Sequence, residues 1–385
     1  MPRHPKGTDH STARSPARRT HSQTASYGGA IVLSLLVAWS HQLEPAQASD
    51  PNTLWEITHH GGVLVGLPVI ASQQEVWLMD STGRVHGLGR AAITAHRRLD
   101  ERFEPLTPEE QANRLSSAFG SHYETLAAAP YAVVAPVGHA QAWAKQLNQF
   151  YREFQRHFSS RGLSLDDPQG GLVVVCYASR AQFRAAASHQ RIQINDEVLG
   201  FYCEQSNWIH LYEHPEEGAG EQLTAAVVRH EAAHQLGFNT GLHTRLGATP
   251  HWLLEGLACI LEVSESSQPA GNGTRPTVHN RLRLDDWRRL AEDPARARQR
   301  IAQLIVSDQP LRDAPLESYA AAWALTHYLA EREPQRLRAY LETIRQHRYG
   351  QGTRTDERQR DFELNISPNL PQLTRRLISY YDTER

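Results

Sequence analysis

Two histidines four residues apart on a helix can hold one metal ion, and VVRHEAAHQLGFNTG, residues 227–241, presents that arrangement. Leu223, Val227, His230 and His234 recur at spacings of three and four, which puts them on one helical face. Glu231 sits about 100° further round, near enough to serve a water at the ion without being a ligand. The chain has 21 histidines in 385 residues, so chance is a competing reading and the motif needs context.

A catalytic zinc site takes three protein ligands and keeps a fourth position open. In the pattern HExxHxxGxxH, Gly237 is in place but Thr240 stands where the last His should be, and His243 lies three residues further on. The other arrangement draws a Glu from a second helix. ATPHWLLEGLACILE, residues 248–262, offers Glu255, 21 residues after His234, with Thr249 as the expected cap and Pro250 as the first helical residue. The bland alternative is a solvated carboxylate. Trp252, Leu253, Leu254 and Leu257 argue against it, because a buried carboxylate without a partner is costly. Glu262, seven residues on, is the reserve ligand or a group behind the ligands.

HEAAH followed by WLLEGLA resembles the zinc-binding core of the gluzincins, the peptidase-MA-like branch, and more narrowly a family of exported bacterial peptidase-like proteins carrying a domain of unknown function. The resemblance covers roughly residues 122–380, including GFYCEQSNWIHLYE and YAAAWALTHYL. It implies His230, His234 and Glu255 as ligands of one zinc ion per chain, and Glu231 as general base. In the thermolysin branch an acidic residue lies one turn beyond the ligand Glu, whereas Cys259 stands there here, as a core thiol or a group near the metal. What orients the imidazoles is left open by the sequence.

The chemistry implied is hydrolysis by a metal-activated water, with Glu231 taking the proton and returning it to the leaving amine. A developing oxyanion needs a second electrophile. Tyr319, at the start of SYAAAWALTHYLAE, is the candidate, set against a plain core tyrosine one turn from Trp323; His243, His251 and His327 are looser candidates. SNWIHLY, residues 206–212, is expected as the edge strand of a thermolysin-like sheet, where an extended peptide could add as a further strand.

These groups need a scaffold. With 40% hydrophobic and 21% charged residues the chain can bury a core in one large or two modest domains. The formal net charge of −2 gives no reason to expect nucleic acid as partner. Five basic residues precede the apolar run GGAIVLSLLVAW and the triplet AQA at 46–48, the layout of a secretory signal at residues 1–48. The run is too short to span a membrane, so the mature protein is expected to be periplasmic or extracellular without a stable span, an uncleaved N-terminal anchor being the alternative. Removing the leader leaves 35 basic against 40 acidic residues. Cys176 and Cys203 could pair in an oxidising compartment, or all three cysteines could be buried thiols.

GVLVGLPVIA, EVWLMD and VHGLG, with a turn at STGR, read as a small β-rich module over residues 49–120. It shows no catalytic signal and could bind a partner, a polysaccharide or nothing. TPEEQANRL opens a helix, with Thr107 as cap and Pro108 in its first position. A hydrolytic domain over 121–385 follows. There Trp143, Leu147, Phe150, Tyr151, Phe154 and Phe158 form a core-facing stripe, GLVVVCYA reads as a buried strand, SRAQFRAAA as a helix, and nearly everything after 221 as helix. SESSQPAGNGTRPT, residues 264–277, is the one long polar loop.

The fold class expected is therefore α+β: a thermolysin-like zincin domain behind a small β-rich module. The function expected is that of an exported zinc metallopeptidase acting on a peptide or protein, with oligomeric state open. The rivals are a metal-binding interaction domain without activity, disfavoured because binding needs no Glu231, and a zinc hydrolase of a non-peptide amide or ester.

Overall fold

The computed structural model describes residues 52–212, 219–263, 280–347 and 353–383. The leader expected at 1–48 and the loop at 264–277 lie outside them. The described chain is mixed α and β: an N-terminal β module, a second sheet with helices on both faces, and a helical C-terminal part.

The module is an antiparallel sheet of five strands, β1 (Thr53–His59), β2 (Gly62–Ala71), β3 (Glu75–Met79), β4 (Val85–Gly89) and β5 (Ile93–Arg102), in the order β4-β3-β2-β1-β5. Its core is small, built on Ile57, Val76 and Leu78. The STGR turn is organised by Asp80, whose Oδ1 accepts from the backbone N–H of Thr82 at 2.9 Å and of Arg84 at 3.2 Å. That turn docks the module on the rest of the molecule. Val85 N donates to Gln205 O at 2.8 Å, Leu106 N to Ser81 O at 2.7 Å, and Gln111 Nε2 to Thr82 O at 3.0 Å.

Helix α1 (Pro108–Phe119) starts as its sequence predicts, with Thr107 as cap and Pro108 in the first turn, and Glu110 adds a reciprocal bond to the Thr107 backbone N–H. Its buried Ala112 and Leu115 pack against Ala132, Val134, Val173 and Val175. Although it leads out of the module, α1 thus covers the second sheet, and that packed unit begins ahead of residue 121.

The second sheet runs β6-β7-β8-β10-β9, built from β6 (Tyr123–Ala128), β7 (Tyr131–Pro136), β8 (Leu172–Tyr177), β9 (Gly200–Cys203) and β10 (Trp208–Tyr212). β7, β8 and β10 are parallel neighbours, with β6 and β9 antiparallel at the two edges. The β6–β7 pair is absent from the sequence reading. β7 and β8 are apolar throughout because helices cover both faces. α2 (Ala140–Ser159) and α4 (Ala219–Asn239) lie on one face, α1 and α3 (Arg180–His189) on the other. The aromatic stripe of α2 is core as expected: Trp143, Leu147, Phe150, Phe154 and Phe158 are all buried.

Two expectations change here. The segment at 206–212 is not the edge strand, because β10 is paired on both sides and β9 forms the edge. All four residues of β9 are buried, so the edge is not an open template either. Cys176 and Cys203 are both buried thiols outside any disulfide, as is Cys259. They sit on β8 and β9 with β10 between, and in different cores: Cys176 belongs to the α2 and α4 side, Cys203 to the cluster around Phe183 of α3.

The C-terminal part comprises α5 (His251–Leu261), α6 (Arg281–Ala291), α7 (Pro294–Val306), α8 (Gln309–Asp313), α9 (Pro315–Arg332), α10 (Pro334–Arg345), α11 (Thr355–Asn365) and α12 (Leu370–Asp382). α9 is its axis. Every residue from Ser318 to Ala330 is buried, and a helix buried all round must have neighbours on all sides. None of the described helices is long and apolar enough to cross a membrane.

Candidate metal centre

The α4 residues His230 and His234 project one turn apart into the interior, each only 5% exposed. The helix is pinned to the sheet by Gln235, whose Nε2 donates to Asn207 O at 2.7 Å and Val173 O at 3.1 Å. It is tied to α5 by Arg229, which donates to Leu261 O at 2.8 Å and Val263 O at 3.0 Å while its Nη1 pairs with Glu153 of α2 at 2.8 Å. Leu261 O is one of the carbonyls that the end of α5 leaves unpaired. At its other end α5 departs from the sequence reading: Thr249 does not cap it, and the His251 N–H donates instead to Asp308 at 3.0 Å, with Arg358 holding that carboxylate at 2.7 Å.

So placed, α5 brings Glu255 to the histidines. Glu255 Oε2 lies 3.1 Å from His230 Nε2 and 3.7 Å from His234 Nε2, and the two Nε2 atoms are 3.1 Å apart. A tetrahedral ion with bonds of about 2.0–2.1 Å holds its ligand atoms about 3.3 Å apart, so the three atoms are spaced as one ion requires. Their chemistry points the same way. His230 Nδ1 is 2.9 Å from Glu262 Oε1, so with Nδ1 donating to that carboxylate, Nε2 is the nitrogen turned to His234 Nε2 and Glu255. Two imidazole nitrogens and a carboxylate oxygen converging in a buried space favour a positive charge among them, whether a bound cation or a proton on His230. Burial opposes charge on His230, yet hydrogen bonds to Cys259, Glu255 and Glu262 outweigh it and raise its pKa well above the ordinary value. Burial likewise opposes charge on Glu255, but the charge of His234 and bonds to both histidines hold it far below the carboxylate range. The residues present fit a metal ion.

Glu262 supplies what the sequence left open, the partner that orients a ligand imidazole. Its own charge is met by Arg283 at 3.2 Å and by Asn280, the residue that caps α6. Despite burial, Arg283 and His230 hold its pKa down at about 2. His230, Cys259 and Glu262 also cluster, but Arg283 occupies the place a second cation would need. The Arg283 guanidinium in turn lies 5.1 Å over the Tyr319 ring.

Glu231 is fully buried. Its Oε2 accepts from the backbone N–H of Tyr202 at 2.7 Å, on the edge strand β9, whereas Oε1 has no hydrogen-bond partner. The approach depends on Gly200: a Cβ there would meet Val227 Cγ1 at 2.7 Å and Glu231 Cγ at 3.3 Å. Burial raises the Glu231 pKa, against the charges of His230 and His234. Tyr319, 3% exposed, is brought near: burial lifts its pKa well above the ordinary value, and the charges of Glu255, Cys259 and Glu231 all act on it.

The other candidates divide. His251 lines a cavity of about 10 Å³ with Tyr202, Glu204, His234, Phe238 and Glu255, room for about one water. His243 is not among the clustered donors; it packs against Phe238, and burial holds its pKa down at about 3. His327 is engaged with the Tyr381 hydroxyl at 3.0 Å and stacked on Trp323. Glu204, beyond the end of β9, is a carboxylate beside the site that the motif reading missed. Its only sequence signal is its place in the strand pair ahead of the HEAAH helix.

The family model described as a protein of unknown function (DUF1570) matches residues 224–348. That span contains His230, Glu231, His234, Glu255, Glu262 and Tyr319, but neither the second sheet nor the N-terminal module. No curated protein matches the chain.

Proposed function

We propose that this protein is a zinc-dependent metallohydrolase of the gluzincin type, with a thermolysin-like arrangement of sheet and helices, exported, and acting on peptide bonds. One observation carries the reading: three converging ligand atoms with a non-ligand carboxylate beside them, Glu231, one of whose oxygens is fixed and the other unengaged. A structural ion needs the first feature and has no use for the second.

His230, His234 and Glu255 would hold the zinc, which when bound supplies a Lewis acid and lowers the pKa of water towards about 7. Glu231 Oε1, which has no other hydrogen-bond partner, is the atom that would take a proton from an attacking water. Oε2 stays on the Tyr202 N–H, so the carboxylate does not have to reorient between accepting the proton and passing it to the leaving nitrogen. Burial lifts its basicity in the direction general-base catalysis favours. Glu262 holds His230 in the tautomer that presents Nε2. Tyr319, kept neutral by its surroundings, is the donor for the carbonyl oxygen on which charge develops. Peptide as substrate rests on the resemblance of HEAAH and WLLEGLA to peptidases.

The test is elemental mass spectrometry of the purified protein and of Glu255→Ala prepared identically, followed by hydrolysis of a fluorescently labelled casein. About one zinc per chain, lost in the variant, is expected. Glu231→Gln should keep the metal and lose at least a hundredfold in rate, within the 10²–10⁴ range of such bases. A protein that takes up no zinc, or a Glu231→Gln variant with full activity, refutes the proposal.

A further inference from the structure

The site cavity is small, but a much larger one adjoins it. A cavity of about 430 Å³ opens between the N-terminal module and the second sheet, walled by Val69, Ile70, Met79 and Phe103 on the module's side and by Phe238 and Leu246 on the other. Phe238, four residues after His234, lines both cavities and separates them. The volume falls in the range of about 300–1,000 Å³ typical of small-ligand sites.

Its polar groups have one sign of charge. No Asp or Glu lines it, whereas Arg245 does, together with the amides of Gln111 and Gln169. Arg245 is half-buried and donates to Gly83 O at 2.8 Å. Among the described residues it has no carboxylate within ion-pair distance, and Glu204 acts on it only through space. With one N–H on Gly83 O and a hydrogen bond to the Tyr202 hydroxyl, the guanidinium retains further N–H donors for a carboxylate. Such a cation in a cavity lined by no carboxylate gains most from an anionic ligand. His347, also in the lining, has a buried Nδ1 with no hydrogen-bond partner.

We infer that this cavity is a binding site for a short apolar peptide segment ending in a free carboxylate, with Arg245 taking the carboxylate and the module's β2 and β3 walls taking the side chains. The Gln169 side-chain amide in the lining favours a peptide over an acyl chain, which has no groups to use it. Assigning that peptide end as substrate or product rests on the hydrolase reading; the cavity's preference for an apolar carboxylate does not. It gives the module a role: without it the cavity has no far wall.

The test is calorimetric titration of the chelator-treated full chain, so that no metal can take the carboxylate, with N-acetyl-Leu-Phe and with its C-terminal amide. The acid should bind at least tenfold more tightly than the amide, and Arg245→Gln should abolish that difference. Because Arg245 also anchors the Gly83 turn, a second variant is needed. Val69→Trp, at a position 38% exposed, should keep the thermal midpoint and lose at least tenfold in binding. Equal binding of acid and amide, unaltered binding to Val69→Trp, or binding of dodecanoate but not of the peptide overturns the inference. Failure of zinc uptake or hydrolysis leaves it standing, whereas absent binding in a protein that hydrolyses casein rejects this site alone.

Discussion

The contact that sets Glu255 against the histidines is the crossing of α5 on α9, and Gly256 is where it is closest. A Cβ added at Gly256 would lie 2.6 Å from the Ala322 carbonyl oxygen and 2.8 Å from Thr326 Cβ, and closer still to Thr326 Oγ1. The Thr326 hydroxyl can rotate away, but the Ala322 carbonyl is backbone in the middle of a fully buried helix. Restoring an ordinary contact of 3.4 Å to that oxygen requires α5 to retreat by about 0.8 Å. Overpacking of this kind costs about 1–3 kcal/mol, and replacing Gly by Ala within a helix returns about 1 kcal/mol. Gly256→Ala should therefore lose up to about 2 kcal/mol in urea unfolding. The larger effect is local. Metal sites tolerate ligand displacements of about 0.2 Å, so moving Glu255 by a multiple of that should weaken zinc binding at least tenfold, about 1.4 kcal/mol. Competition against a chromophoric chelator reads the affinity directly. A variant with wild-type affinity and an unchanged urea midpoint would falsify the argument, because α5 would then not be held where the ligand geometry needs it.

Three further outcomes follow from the same geometry. Glu262→Gln should weaken zinc binding by about 10–100-fold through loss of the carboxylate behind His230, and should destabilise the fold by about 3–5 kcal/mol because Arg283 is left buried without a counter-charge; chelator competition and urea unfolding that both match wild type reject that role. Tyr319→Phe should lower kcat at least tenfold with KM and metal content unchanged, and an unaltered kcat returns Tyr319 to the core. Burial lowers the pKa of His210 from 6.5 to about 3, so between those values the unfolded chain binds a proton that the folded chain does not. Its contribution is full above pH 6.5 and is lost as the pH falls towards 3, at about 1.4 kcal/mol per pH unit. His210→Phe, stacked on Phe201, should remove one proton's worth of the slope of unfolding free energy against pH, which a series of urea titrations from pH 4 to 7 would show; an unchanged slope contradicts it.

What the sequence determined by itself is what short-range geometry determines. The spacing of His230 and His234 places both on one face of α4 wherever that helix packs, because the helical repeat is local. The stripe of α2 and the Thr107 cap of α1 are legible for the same reason. Strand order is not local: GFYC and WIHLY are equally apolar, and only pairing with β8 makes β10 interior and β9 the edge. The β6–β7 pair went unread because its short apolar runs carry no period that separates strand from buried helix. Thr249 looked like a cap, yet Asp308, 57 residues beyond His251, satisfies that end of α5. Glu262 was visible as a spare carboxylate, but its alignment behind His230, with Arg283 and Asn280 fixing it, joins three helices. The Tyr202 N–H that holds Glu231 belongs to the backbone and carries no residue signature at all. Chemistry-bearing side chains can thus be named from spacing, whereas the partners that orient them come from distant parts of the chain, and only tertiary packing brings those within hydrogen-bond reach.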